Sequence, residues 1–210
     1  MKIWKIAVVI FFAQLTMAVS AAPITFGDRT DFESQGEIAE FQDFESFDSN
    51  EFTFPGVPFV DGSISYTSEG ENLIVGSNTF ITPISNTLSN DTFDTAVTGD
   101  IGGEFNMFAL DMAVNNPNDI GDVTLTLFTN LSSYFFDLTL PAVQNEQLFQ
   151  GFTLSGSEYF TGFAFDAFNF VHIDNVTLGN LAVPAPATLA LMFSGLLGLG
   201  FARRRRQTNV

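Results

Sequence analysis

Two hundred and ten residues hold one domain with a real hydrophobic core once both termini are set aside, and are too few for two. The charge is lopsided: 24 acidic residues stand against 7 basic ones, and between Pro23 and Ala182 Arg29 is the single cationic side chain. Such a polyanion repels phosphates and anionic headgroups, which excludes nucleic acid as a partner; it suits a salty or calcium-rich medium, and solubility alone explains it equally well.

There is no cysteine, so no disulfide and no thiolate zinc site can form, and stability has to come from packing. Phenylalanine is the material for it, with 26 Phe against 3 Tyr and 1 Trp. The one tryptophan, Trp4, lies ahead of the body, so the body has no stacked-Trp platform for sugars.

The chain opens with Lys2 and Lys5, an apolar run from Ile6 to Val19, and the small residues Ser20, Ala21 and Ala22. This is the pattern of a secretory signal peptide, residues 1–21, cut after Ala21. Next, Thr30 with Glu33 three residues later has the spacing of a capping box, which predicts a short helix closed by Gly36. Phe41, Phe44 and Phe47 follow at a spacing of three and are read as a strand.

From there the period is two. Val123, Leu125 and Leu127 alternate with Asp122, Thr124 and Thr126, and Phe136, Leu138 and Leu140 alternate with Phe135, Asp137 and Thr139. Further runs rich in Phe, Val, Ile and Thr cover 63–67, 73–75, 104–114, 148–154, 159–166 and 170–178. Many short strands about ten residues apart predict an all-β antiparallel sandwich, jelly-roll-like, over residues 22–182. An outer-membrane barrel is the rival, but the alternation is irregular and the aromatics form no two girdles. The segment Asn115-Asn116-Pro117-Asn118-Asp119 reads as a turn cluster, most simply a hairpin connection. Asn90, Asn130 and Asn175 each begin a glycosylation sequon and carry little weight.

No catalytic residue emerges. His172 is the only histidine, flanked by Val171 and Ile173 in a strand, and is expected at a surface or edge. No Gly-x-Ser-x-Gly elbow supplies a nucleophile. A glycosidase needs only two carboxylates about 5 to 10 Å apart, which so many acids could supply, so a secreted carbohydrate-active hydrolase remains the rival.

The C-terminal end has three parts: Val183-Pro184-Ala185-Pro186, an apolar stretch from Ala187 to Ala202, and the cluster Arg203, Arg204, Arg205 and Arg206. The two prolines force extended backbone, as a protease cleft requires. About 16 helical residues span about 24 Å, short of a hydrocarbon core of about 30 Å. The arginines would stay cytoplasmic.

This end resembles the PEP-CTERM sorting signal of Gram-negative bacteria that make exopolysaccharide, with Ala185 where that family usually has glutamate. The resemblance implies a transmembrane sorting helix within 183–206 and processing by an exosortase after signal peptidase has acted. It further implies an inner-membrane intermediate, then a place at the cell surface or in the extracellular matrix. Asp28-Arg29 with the Phe44-Glu45 pair, and the closing run Ile173-Asp174-Asn175-Val176-Thr177-Leu178-Gly179, are similar to the opening and last strand of jelly-roll bodies akin to carbohydrate-binding modules. That likeness implies a non-enzymatic binding or structural module with extracellular polysaccharide as partner. It also implies a structural calcium tying Glu45 to Asp174, with carbonyls and Asp43 or Asn175 completing six to eight oxygens. Solvated surface carboxylates and a calcium-stabilised adhesin both stay open as readings of those acids.

Overall fold

The structure, a computed structural model, describes residues 22–47, 51–68, 70, 72–76, 86–90, 96–114, 122–141, 146–167 and 171–182. The signal-peptide reading (1–21), the Asn115–Asp119 segment and the whole sorting tail from Val183 onward lie outside them. Among the described residues no helix is long and apolar enough to cross a membrane.

Among the described residues, fourteen strands and one helix follow in chain order: β1 (Ile24–Phe26), α1 (Arg29–Glu33), β2 (Gly36–Gln42), β3 (Glu51–Thr53), β4 (Phe59–Asp61), β5 (Ile64–Ser68), β6 (Leu73–Gly76), β7 (Thr87–Asn90), β8 (Val97–Phe105), β9 (Met107–Val114), β10 (Asp122–Thr129), β11 (Ser133–Thr139), β12 (Leu148–Thr153), β13 (Phe160–Ala167) and β14 (Val171–Leu181). They form two antiparallel sheets. Sheet A has the order β1-β12-β9-β14-β7-β6-β3, with β2 also paired to β14; sheet B has the order β11-β10-β13-β8-β5-β4. The all-β sandwich expected from the two-residue period is therefore what forms.

The alternation translates directly into packing. Val123, Leu125 and Leu127 of β10 are fully buried, whereas Phe135 of β11, on the wet face, is 72% exposed. Sheet A sends Phe108, Leu110, Met112, Phe152, Ile173 and Val176 inward, and sheet B answers with Tyr66, Val97, Leu125, Phe163 and Phe165. Phe108 sits at the middle, with its ring centroid 5.0 Å from Phe163, 5.7 Å from Phe160 and 6.4 Å from Phe152. Offset and tilted ring pairs of this kind add to the area they bury.

Several expectations need correction. The run 104–114 is two strands in different sheets, broken at Asn106. That residue is a corner: its amide donates to Gly179 O (3.2 Å), its carbonyl accepts from Leu154 (2.9 Å), and its Oδ1 accepts from the Leu181 amide (2.7 Å). Such long-range bonds leave no periodic trace in the sequence. β9 and β10, the strands on either side of the Asn115–Asp119 segment, belong to different sheets and do not pair as a hairpin.

The helix is real but begins two residues earlier than the capping box implies. Asp28 is its N-cap, accepting from the Asp31 amide at 3.0 Å, Ser34 is its C-cap, and Gly36 opens β2 instead of closing the turn. Asp is among the strongest N-cap formers, and it wins over Thr30 here. Of the three spaced phenylalanines only Phe41 is in a strand; Phe44 adopts φ 56 beyond the end of β2.

Helix α1 closes a second, smaller core on the outer face of sheet A. Phe32 is buried there with Met107 and Ala109, packed by Phe26, Ile38, Phe149 and Leu181. A Cβ on Gly151 would lie 2.7 Å from the Phe32 ring, so that glycine makes the seat for it.

Candidate functional site

Arg29, the sole cation of the body, is at the first turn of α1 and reaches down onto the outer face of sheet A. Its Nη2 donates to Asp111 Oδ2 at 2.9 Å and its Nη1 to Thr177 Oγ1 at 3.3 Å, with Glu33 Oε1 3.8 Å away. The guanidinium also lies over the Phe149 ring, 4.7 Å from its centroid, with Phe41 at 5.8 Å. A planar cation over an aromatic face is favourable. Asp111 receives a second donor, Asn175 Nδ2, at 2.8 Å on the same oxygen.

Local backbone makes that second contact possible. β14 carries a bulge against β9 between Asp174 and Thr177, and Asn175 within it has φ 50. Asparagine tolerates this left-handed conformation better than most residues. The result is a closed network: Arg29, Asp111, Asn175 and Thr177 satisfy one another and fix α1 to the sheet. The sequence shows Arg29 as the single cation but gives no sign of Asp111, 82 residues away, as its partner.

The two residues singled out for calcium both lie near the place where β2 and β7 flank β14. β2 pairs Gln42 with Val176, β7 pairs Leu88 with Ile173, and Asp174 lies on β14 between those two pairings. Glu45, three residues beyond Gln42, accepts the Asn86 amide at 2.7 Å, one residue ahead of β7. Asn86 Nδ2 donates to the carbonyls of Phe44 (3.3 Å) and Phe47 (3.0 Å), while Asp43 Oδ1 accepts from the Glu45 amide and Asp174 Oδ1 from the Asn175 amide. The donor types suit a hard cation. Among the described residues, however, no group of three or more His, Cys, Asp or Glu could hold a metal ion. These oxygens are instead engaged by protein N–H groups.

A further polar cluster, which the sequence did not single out, joins the sheets at the β4–β5 turn. Glu40 accepts from the Ser63 amide (2.9 Å) and hydroxyl, Gln42 Nε2 donates to the Asp61 carbonyl, and the buried Tyr66 hydroxyl donates to Gln42 Oε1. Burial, with Asp43 and Glu40 adding like charge, raises the Asp61 carboxyl above its ordinary range. The Tyr66 phenol is pushed well above its usual value, by burial first and by Asp61 and Glu40 second.

His172 is not a surface or edge residue. It is 2% exposed in β14, a central strand of sheet A, shares a 2.9 Å hydrogen bond with the Thr87 hydroxyl through Nδ1, and leaves Nε2 without a partner among the described residues. Burial lowers its pKa from 6.5 to about 4. No serine or carboxylate is bonded to it, so it does not anchor a triad among the described residues.

Comparison with known proteins adds a sorting motif and a fold likeness. The PEP-CTERM protein-sorting motif matches residues 182–206, the end at which Val183, Pro184, Ala185, Pro186 and the four arginines lie. No curated protein matches the chain. Among solved structures, the C-terminal family 22 carbohydrate binding module of Clostridium thermocellum Xyn10B is 8% identical over 72% of this chain and 99% of that one, with a TM-score of 0.44. A family 29 carbohydrate binding module complexed with mannohexaose is 12% identical over 64% and 99%, with a TM-score of 0.40. The cleaved adhesin domain of Lys-gingipain is 12% identical over 66% and 96%, with a TM-score of 0.41. The tail marks the chain as an exported protein.

Arg29→Met should cost about 2–3 kcal/mol, because it strips a charged hydrogen bond from the largely buried Asp111. The double variant Arg29→Met with Asp111→Asn should recover part of that loss in a urea titration. A pH dependence follows from His172. Its folded pKa lies below the unfolded one, so between pH 6.5 and about 4 the unfolded chain binds the extra proton and stability falls as pH falls. His172→Gln should flatten the thermal midpoint across that window relative to the parent chain.

Proposed function

We propose that this is a cell-envelope or extracellular-matrix protein, sorted through its PEP-CTERM tail, whose β-sandwich acts as a non-enzymatic binding or structural module for exopolysaccharide. The observation that carries the reading is the motif at 182–206, which begins one residue after β14 ends. Signal peptidase and an exosortase would be the processing partners, with an inner-membrane intermediate held by the apolar stretch.

Support for a binding role comes from the surface. Phe135 stands 72% exposed on the outer face of sheet B, and Phe128, 38% exposed, lies one strand away on β10. Thr126 is directly opposite Phe135, and Thr124 is hydrogen-bonded to Asp137 at 3.2 Å. Aromatic faces beside hydroxyls and carboxylates are the chemistry that binds sugar rings. The strong negative charge favours neutral over anionic polysaccharide.

Replacing Arg203 to Arg206 with neutral residues should leave the tail unprocessed in a host that carries an exosortase. The C-terminal mass reads the outcome, and a variant trimmed to the same C-terminus as the parent chain would sink the sorting reading. Reducing ends released from a polysaccharide panel, and abolished by one carboxylate change, would favour the hydrolase reading instead.

A calcium role for Glu45 and Asp174 is the second reading, motivated by the position of both near the β2–β7 junction. It predicts a thermal midpoint that rises with added calcium and falls on chelation. Glu45→Gln should abolish the rise; a midpoint indifferent to chelator would remove calcium from consideration.

A further inference from the structure

The start of β1 and the end of β14 lie at the same end of the sandwich. Across sheet A, Ile24 pairs with Thr153, Thr153 with Met107, and Met107 with Gly179. Three strand spacings separate β1 from β14, about 14 Å. The Asn106 corner is at this end too, and so is the β10–β11 turn, because Thr129 pairs with Phe160 and Phe160 with Phe105. The opposite end holds Asp122 and Thr139, which pair with each other.

The fold is fastened right up to the tail. The Leu181 amide donates to Asn106 Oδ1 at 2.7 Å, and the Ala182 amide donates to the Gln35 carbonyl at 3.0 Å. Only Val183, Pro184, Ala185 and Pro186 then separate the last bonded residue from the apolar stretch that starts at Ala187. Four residues reach about 14 Å at full extension, and two prolines keep them stiff. A domain two sheets thick cannot turn away from the membrane on so short a tether.

We infer that this end of the sandwich is its membrane-facing end and rests on the lipid surface for as long as the tail stays anchored. The inference rests on the reading of the tail as a membrane anchor given above. The contacting surface is a cleft of about 460 Å³ beside the exit point, lined by Ser34, Gly36, Glu37, Asn180, Leu181 and Ala182. Two exposed apolar side chains accompany it, Ile24 (61%) at the start of β1 and Leu131 (49%) in the β10–β11 turn. Their partner is the interfacial zone of a bilayer, into which isolated apolar side chains insert. Acidic Glu37 at the same end disfavours strongly anionic lipid, so a zwitterionic surface is the better fit.

The absence of cysteine allows single-site labelling of the chain with its tail intact. Fluorophores on Ser155→Cys and Asn180→Cys probe the near end, and one on Thr139→Cys probes the far end, in phosphatidylcholine vesicles carrying a headgroup quencher. The near-end labels should be quenched at least about twofold more than the far one. A long Gly-Ser insert between Ala182 and Val183 should remove most of the difference, and Ile24→Glu with Leu131→Glu should weaken it without changing the thermal midpoint. Equal quenching of all three labels on vesicle-bound chain overturns the inference alone. A chain that stays in solution overturns the anchor reading, and this inference with it.

Discussion

Sheet A is assembled on β14. Its eleven residues pair with β9 along one side and with β2 and then β7 along the other, so three strands from distant parts of the chain take their register from it. Its inward side chains Val171, Ile173, Val176 and Leu178 are all buried in the main core. Its outward side carries His172, Asp174 and Thr177, each of which is buried and polar. The bulge at Asn175 divides the strand into a half that supports the β7 side and a half that supports β2 and the helix. The Arg29 network, the Glu45 junction and the departure of the tail are all fixed by where this strand lies.

What could be read in the sequence was the strand content, because alternation is a local signal. β10 and β11 are legible residue by residue, including the wet placement of Phe135. The corner at Asn106 was not, since Phe105-Asn106-Met107 interrupts no hydrophobic pattern and its bonds go to residues 48 to 75 positions away. The helix is legible but its cap is ambiguous in sequence, because both Asp28 and Thr30 are competent caps, and the stronger one, Asp28, is used. His172 was expected outside because isolated polar residues in strands face water by default. Here a second polar residue, Thr87, arrives from β7 to meet it. Glu45 and Asp174 stand out only by likeness to other bodies; strand register places Asp174 between the β2 and β7 pairings of β14, and Glu45 accepts from Asn86 next to β7.

Charge economy is the other constraint. With one arginine in the body, the ion pairs described there both centre on Arg29, which meets Asp111 at 2.9 Å and Glu33 at 3.8 Å and attaches α1 over the second core. Elsewhere carboxylates accept from hydroxyls and backbone amides, as Glu158 does from Thr129 and Tyr134 and Glu40 from Ser63, while burial beside Asp43 and Glu40 raises the Asp61 pKa. Core stability therefore depends on ring packing, with Phe108, Phe152, Phe160 and Phe163 at its centre.

The pairing of β1 with β12, and of β2 with β14, has a kinetic consequence for a chain that is exported. Ile24 must wait for Thr153, and Gly36 for Leu181, so neither N-terminal strand has a sheet partner until most of the chain is available. Contacts this distant in sequence close slowly. Hairpins such as β4–β5 and β10–β11 pair locally, but sheet A cannot be completed until β14, directly ahead of the sorting segment, is available.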